Sequence, residues 1–317
     1  MKGLQRIFIT AAIVFFLLFS AGICLAIFLP EVENTSSVLS PEEARELFVV
    51  EKVDTGVPLS GPEEMMQAAL SEAGSWIAED LVISEYSTGA DGQRFYTLSL
   101  AGGGGFGWIA IDVYGNLLSL YDPTLTLEPP NFTDINLEKE QAEAVAVGLL
   151  ERLGFEPGSL DIINSELRIT TSREYVIEFK PCLNGIFVDE GDYCEIHLSP
   201  SDGQVTSIDT KRSPLRMRQA PAEPVIDEQA ALESARARVL EYAGEDLDLR
   251  VTRDMGTGED GIRLRYALSV PFAASRPMLC WKVSLEAENR DLMGGTVYDV
   301  LVDAMTGETN VNGIGHY

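Results

Sequence analysis

Apolar positions along this chain switch between two periods, and the switch repeats. The sharpest block lies near the C-terminus. In residues 296–309, Tyr298, Val300, Val302 and Ala304 fall on one face at period two while Asp299 and Asp303 fall on the other, which is the pattern of a half-buried strand. Asp303 is placed to accept bonds from the backbone of the turn that follows, and Gly307 to take the positive φ that reverses the chain into another strand. Weaker relatives stand upstream at 108–117 and 194–205, with turn glycines at Gly115 and Gly203. The three glycines are spaced by 88 and then 104 residues, so the pattern predicts a repeated unit that tolerates loop insertions.

Each block is preceded by apolar residues at helical spacing. In the first, Met66, Ala69, Leu70, Ala73 and Ile77 share a face, followed by strands expected at 81–86, 95–100 and 106–113 and a short one after Gly115. The second opens with Asn136 as candidate cap and a stripe of Ala142, Val145, Leu149 and Leu153, ended by Gly154; strands are expected at 165–170, 174–179, 193–198 and 204–209. The third has Asp227 as cap, a stripe of Leu232, Ala235, Val239 and Tyr242, and Gly244 as stop, then strands at 248–253, 263–270, 279–287 and 296–302. Residues 40–43, Ser-Pro-Glu-Glu, predict the start of a short helix. The resulting division is a tip and anchor at 1–30, a stalk and short helix at 31–59, a first unit at 60–130, a second at 131–212, a proline-rich linker at 213–224 and a third unit at 225–317.

Residues 7–29 are a different kind of segment, 23 positions without a charge and long enough to cross a hydrocarbon layer of roughly 30 Å as a helix. Lys2 and Arg6 precede it and Glu31 and Glu33 follow, so the positive-inside rule keeps the N-terminus in the cytoplasm and puts the bulk of the chain outside. The run exceeds the apolar part of a cleaved signal peptide; a single-pass membrane protein is expected. The chain carries 23 Lys and Arg against 50 Asp and Glu. Without Lys2 and Arg6 the exported part has 21 against 50, a balance of −29, and such a surface repels nucleic acid.

Residues 225–310 carry a helix opening Ile226-Asp227-Glu228-Gln229-Ala230-Ala231, then Leu279-Cys280-Trp281-Lys282-Val283-Ser284-Leu285, then Tyr298-Asp299-Val300-Leu301-Val302-Asp303-Ala304-Met305-Thr306-Gly307-Glu308. In this order and spacing they resemble a PepSY domain. Residues 135–210, with Asn184-Gly185-Ile186 ahead of Gly191-Asp192 and with Ser201-Asp202-Gly203-Gln204-Val205, are similar to the repeats of exported YcdB/YcdC-like proteins. The resemblance implies an α+β fold, an N-terminal transmembrane helix followed by tandem PepSY-like modules, each a helix packed on an antiparallel sheet. It also implies a role near cell-envelope peptidases, wall-modifying enzymes or sensor kinases.

Candidate chemistry is sparse. The chain has two histidines, His197 and His316. Cys194 and His197 suggest a nucleophile and base, but an offset of three in a strand puts them on opposite faces. No His/Cys cluster has zinc-ligand spacing and no window fits the calcium loop, so no cofactor is expected. Asp189, Glu190 and Asp192 would attract a divalent cation only unspecifically. The glycines at 102–105 lack the Lys-Ser/Thr and following helix of a phosphate loop and read as a hairpin loop. Cys182 and Cys194 are the candidate disulfide, provided that Pro181 shifts the strand phase by a bulge. The expected function is therefore non-enzymatic: binding or regulating an envelope protein or peptide from the outer side of the membrane. The alternatives are an envelope hydrolase working through acidic residues, and a structural spacer.

Overall fold

The computed structural model describes residues 39–77, 80–89, 92–103, 105–124, 135–169, 173–244, 247–253, 261–268, 277–289 and 294–316. In order these form α1 (Pro41–Glu46), β1 (Val49–Lys52), α2 (Pro62–Trp76), β2 (Leu81–Thr88), β3 (Arg94–Leu100), β4 (Gly107–Ile111), β5 (Leu117–Tyr121), α3 (Lys139–Arg152), β6 (Asp161–Ile169), β7 (Arg173–Lys180), β8 (Cys182–Leu183), β9 (Ile186–Asp189), β10 (Tyr193–Leu198), β11 (Val205–Lys211), β12 (Leu215–Gln219), α4 (Glu228–Ala243), β13 (Leu249–Val251), β14 (Ile262–Ala267), β15 (Met278–Asn289), β16 (Gly294–Asp303) and β17 (Thr309–His316).

This corrects the expected fold class. Strand takes 45% of the described residues and helix 21%, so the molecule is mostly β, and its sheets do not follow the one-helix, one-sheet division. β2 to β5 and β6, β7, β10 and β11 join edge to edge in one eight-stranded sheet, ordered β2-β3-β4-β5-β11-β10-β7-β6. β8 and β9 leave the second unit altogether. They extend the other large sheet, ordered β17-β16-β15-β14-β9-β8, in which β13 also pairs with β15. Among the described residues no helix is long and apolar enough to cross a membrane, and the segment expected to do so, 7–29, lies outside the described residues.

The registers explain the join. Tyr96, Ile109, Leu120, Ile208, Ile196 and Ile177 lie directly opposite one another on successive strands, and all six are buried. Residues directly opposite share a face, so this row runs unbroken from the first unit into the second beneath α2 and α3. Leu153 and Val205 pack against the cores of both. Small residues bring the helices close: α2 buries Met65, Ala69 and Ala73, and α3 buries Ala142, Ala146 and Leu150. The expected stripes hold at Ala69, Ala73, Ile77 and Ala142 and miss at Met66 and Val145, which are exposed. α3 is capped by Glu138 in a capping box with Gln141 rather than by Asn136. α4 has the expected cap, Asp227 accepting from the Ala230 amide at 2.8 Å, and the left-handed Gly244 at φ 68°. It buries Ala231, Ala235 and Val239 on Val283, Leu285, Val300 and Val302.

The stretch expected as a linker contains β12, which pairs antiparallel with β1. Met217 from β12 joins Ala44, Val188, Tyr266 and Leu279 in a further core, so residues 39–52 pack on the body of the protein. The three units nonetheless share one local device. Leu59 donates its amide to Val113 O at 2.8 Å, Leu137 to Pro200 O at 3.0 Å and Ile226 to Ala304 O at 2.8 Å, tying a residue just ahead of each helix to the turn before each last strand. A β-carbon added at the turn glycines Gly115, Gly203 and Gly307 would lie 3.3, 3.6 and 3.7 Å from those same three side chains.

Candidate functional site

α2 and α3 both lie over the Ile196 and Ile208 side of the eight-stranded sheet, and no described helix packs on its other face. That open face is built from the alternate residues of each strand. One row runs through Thr97, Trp108, Tyr121, Ser207, His197, Val176 and Glu166; the next through Phe95, Ala110, Ser119, Asp209, Glu195 and Glu178.

At the β4–β5 end the face is aromatic. Trp108 stacks on Tyr121 with ring centroids 4.6 Å apart and planes 12° from parallel, and Phe106 lies tilted at 6.4 Å from Trp108. Phe106 is 65% and Trp108 39% exposed, so this aromatic surface faces water. The indole N–H donates to Ser119 Oγ at 3.1 Å, which satisfies its polar edge and leaves the rings for contact.

At the β7–β10 end the face is ionic. His197 Nδ1 lies 2.9 Å from Glu174 Oε2 and Nε2 lies 2.6 Å from Glu195 Oε1, and the Tyr193 hydroxyl donates to the other oxygen of Glu195 at 2.6 Å. Burial pulls the His197 pKa down, but the hydrogen bonds it donates to Glu174 and Glu195 and their charges outweigh it and hold it at about 9. The hydrogen bond from His197 keeps Glu195 below the usual carboxylate range despite burial. Burial raises Asp209, against a hydrogen bond from Ser119. An imidazolium donating through both nitrogens has no lone pair to accept a proton, so His197 is not a general base at neutral pH.

The structure separates most of the sequence-derived candidates. Cys194 is buried on the helix side while His197 faces the open side, and burial raises the Cys194 thiol to about 12. Cys182, Cys194 and Cys280 are all free; Cys182 lies in β8 opposite Phe187 and Cys194 in β10 opposite Phe179, so the candidate disulfide is not formed. Gly115, Gly203 and Gly307 adopt φ of 85°, 76° and 74°. Asp303 Oδ1 accepts from the Met305 and Thr306 amides at 2.8 and 3.0 Å, and Asp299 accepts from Ser284 Oγ at 2.6 Å, so these two carboxylates do not converge.

Asp189, Glu190 and Asp192 do not gather around a common point either. Asp189 is buried and paired with Lys282 at 2.6 Å and Lys180 at 3.3 Å; Glu190 accepts from the Leu268 amide and Asp192 from the Ser213 amide. Burial raises the Asp189 pKa, but the two lysines outweigh it and hold the carboxyl below its ordinary value. Among the described residues no group of three or more His, Cys, Asp or Glu side chains is arranged to hold a metal ion.

A recess of about 290 Å³ lies between the turn at 156–159, the β8–β9 hairpin and β12. Its arginines are already paired, Arg216 with Glu156 at 2.9 Å and Arg218 with Glu51 at 2.6 Å. The Cys182 thiol on its wall is raised by burial and by Asp161, which disfavours the reactive thiolate.

Sequence reasoning missed Glu174, Glu195 and Tyr193 around His197. Their shared parity on two strands was visible, but the pairing of β7 with β10 was hidden by the hairpin inserted between them.

No protein-family model matches the chain, and no curated protein matches it. Among solved structures it is similar to the C-terminal domain of YpeB from Bacillus megaterium, at 16% identity over 82% of this chain and 99% of that one, with a TM-score of 0.45. It is also similar to an uncharacterized protein from Eubacterium rectale, at 14% identity over 83% of this chain and 86% of that one, with a TM-score of 0.48.

Proposed function

We propose that this chain is a non-catalytic, PepSY-like binding protein that works outside the cytoplasm and regulates an envelope protein by holding it on the open face of the eight-stranded sheet. The observation that carries this reading is the exposed pair Phe106 and Trp108, the latter stacked on the half-buried Tyr121, on a sheet face that no described helix covers. Exposed aromatic rings with their polar edges satisfied are the side chains that dominate protein-binding energetics. A non-catalytic role is supported by the chemistry beside them, since His197 is held protonated between two carboxylates and the buried Cys194 faces away from it. Export is supported by the charge-free run at 7–29 behind Lys2 and Arg6, and by the acidity of the rest.

Proximity labelling from the full-length chain tests the reading. A specific peptidase, wall-modifying enzyme or kinase should be enriched over an inert control at the same location. That enrichment should be lost in the Phe106→Ser/Trp108→Ser variant while its circular dichroism is kept. Labelling no better than the control would sink the proposal.

A further inference from the structure

β5 and β11 hold corresponding places in the first and second units. Each follows its turn glycine and pairs antiparallel with the strand before it. They meet each other antiparallel, with Ile208 opposite Leu120, and both residues stand five positions after their glycine, so the join is a local two-fold. β17 holds the same place in the third unit. Val311 lies opposite Val300 as Leu120 lies opposite Ile109 and Ile208 opposite Ile196, and Val300, Ile109 and Ile196 are each fully buried.

Among the described residues no strand pairs with the outer edge of β17. Leu120 and Ile208 are 2% and 0% exposed, whereas Val311 is only half-buried. The helices tell the same story. Trp76 and Leu153, each three positions beyond the last buried helix residue, pack at the join between the first two units. Their counterpart Tyr242, three beyond Val239, is 56% exposed. β17 also contains no Asp, Glu, Lys or Arg on a chain of net charge −27. Edge strands that avoid pairing commonly carry charge, and like-charged copies meet at least cost where the strand is neutral.

We propose that β17 pairs antiparallel with β17 of a second copy, Val311 opposite Val311, so that the two-fold joining the first and second units is repeated between molecules. The interface is isologous; it continues each sheet into that of the other copy and brings the two Tyr242 side chains beneath the joined helices.

The test uses the full chain in detergent. Val311→Cys, placed in a Cys24→Ser background, should give a disulfide-linked dimer on mild oxidation, because the two residues 311 face each other within disulfide reach. Val82→Cys on β2, an edge strand of the eight-stranded sheet, should not. In sedimentation, the wild-type chain should reversibly dimerise. Asn312→Asp with Tyr242→Glu, both at exposed positions, should leave a monomer with a melting temperature within a few degrees of the monomeric wild type. The proposal is overturned by a wild-type monomer at the highest soluble concentration, by a dimer that survives the paired substitution, or by β17 amides protected from exchange in the monomer, which would place a segment of the same chain on that edge.

Discussion

His197 is the residue whose surroundings depart furthest from what its sequence position suggests. Its folded pKa of about 9 stands above the ordinary 6.5, so the proton it binds on folding stabilises the native state. The contribution is full below pH 6.5 and is lost as pH rises through 9. The shift corresponds to about 3 kcal/mol. Denaturant midpoints taken at pH 6, 7.5 and 9.5 should fall for the wild-type chain across this window, and the fall should flatten in His197→Gln, which keeps a hydrogen bond but does not titrate. An equal slope in both would place the stabilisation elsewhere. The alternation around residue 197 was legible, and it correctly separated Cys194 from His197. The carboxylates were not, because Glu174 comes from a strand 23 residues away, and only the pairing of β7 with β10 brings it to the ring.

At the scale of elements, the turn glycines make a graded prediction. All three occupy left-handed backbone, where alanine is strained by about 1 kcal/mol or more. Gly203 and Gly307 have ordinary room for a methyl group against Leu137 and Ile226, while Gly115 would press Leu59 at 3.3 Å. Gly115→Ala should therefore lower stability most and the other two by similar, smaller amounts, as thermal melts of the three single variants would show. Asp227→Ala should cost about 1 kcal/mol by removing the only side-chain cap seen at α4; a helix unaffected by it in amide exchange would refute that role. Helices, most strands and the turns were readable from period and punctuation. The helix faces are right at Ala69, Ala73, Ala142, Ala235 and Val239 and wrong at Met66, Val145 and Tyr242, which are exposed; in α3 and α4 the weight given to large residues hides the small ones, Ala146 and Ala231, that bring the helix close to its sheet. The short β1, β8 and β9 are too brief to show alternation, β12 is hidden among the prolines of the expected linker, and β1, β9 and β12 pair with distant parts of the chain.

Across the whole molecule the β8–β9 hairpin ties the two large sheets. The β8–β9 hairpin leaves the second unit after Pro181, turns at Asn184 and Gly185 with φ of 54° and 78°, and pairs β9 in parallel with β14. At its end Asp189 takes Lys180 from β7 and Lys282 from β15, one strand from each sheet. A net charge of −27 strains any compact arrangement by self-repulsion, and this junction concentrates attraction where the sheets meet. Removing the carboxylate leaves two half-buried ammonium groups facing one another, and breaking a buried pair in this way costs about 3–5 kcal/mol. Asp189→Asn should therefore lower the calorimetric melting temperature and split one transition into two, as the sheets come to unfold separately. Added salt should restore part of the loss, since it screens both the facing lysines and the long-range repulsion among the acids. A variant that still melts in one transition would show instead that the hydrogen bonds between β9 and β14 are enough to make the two sheets unfold together.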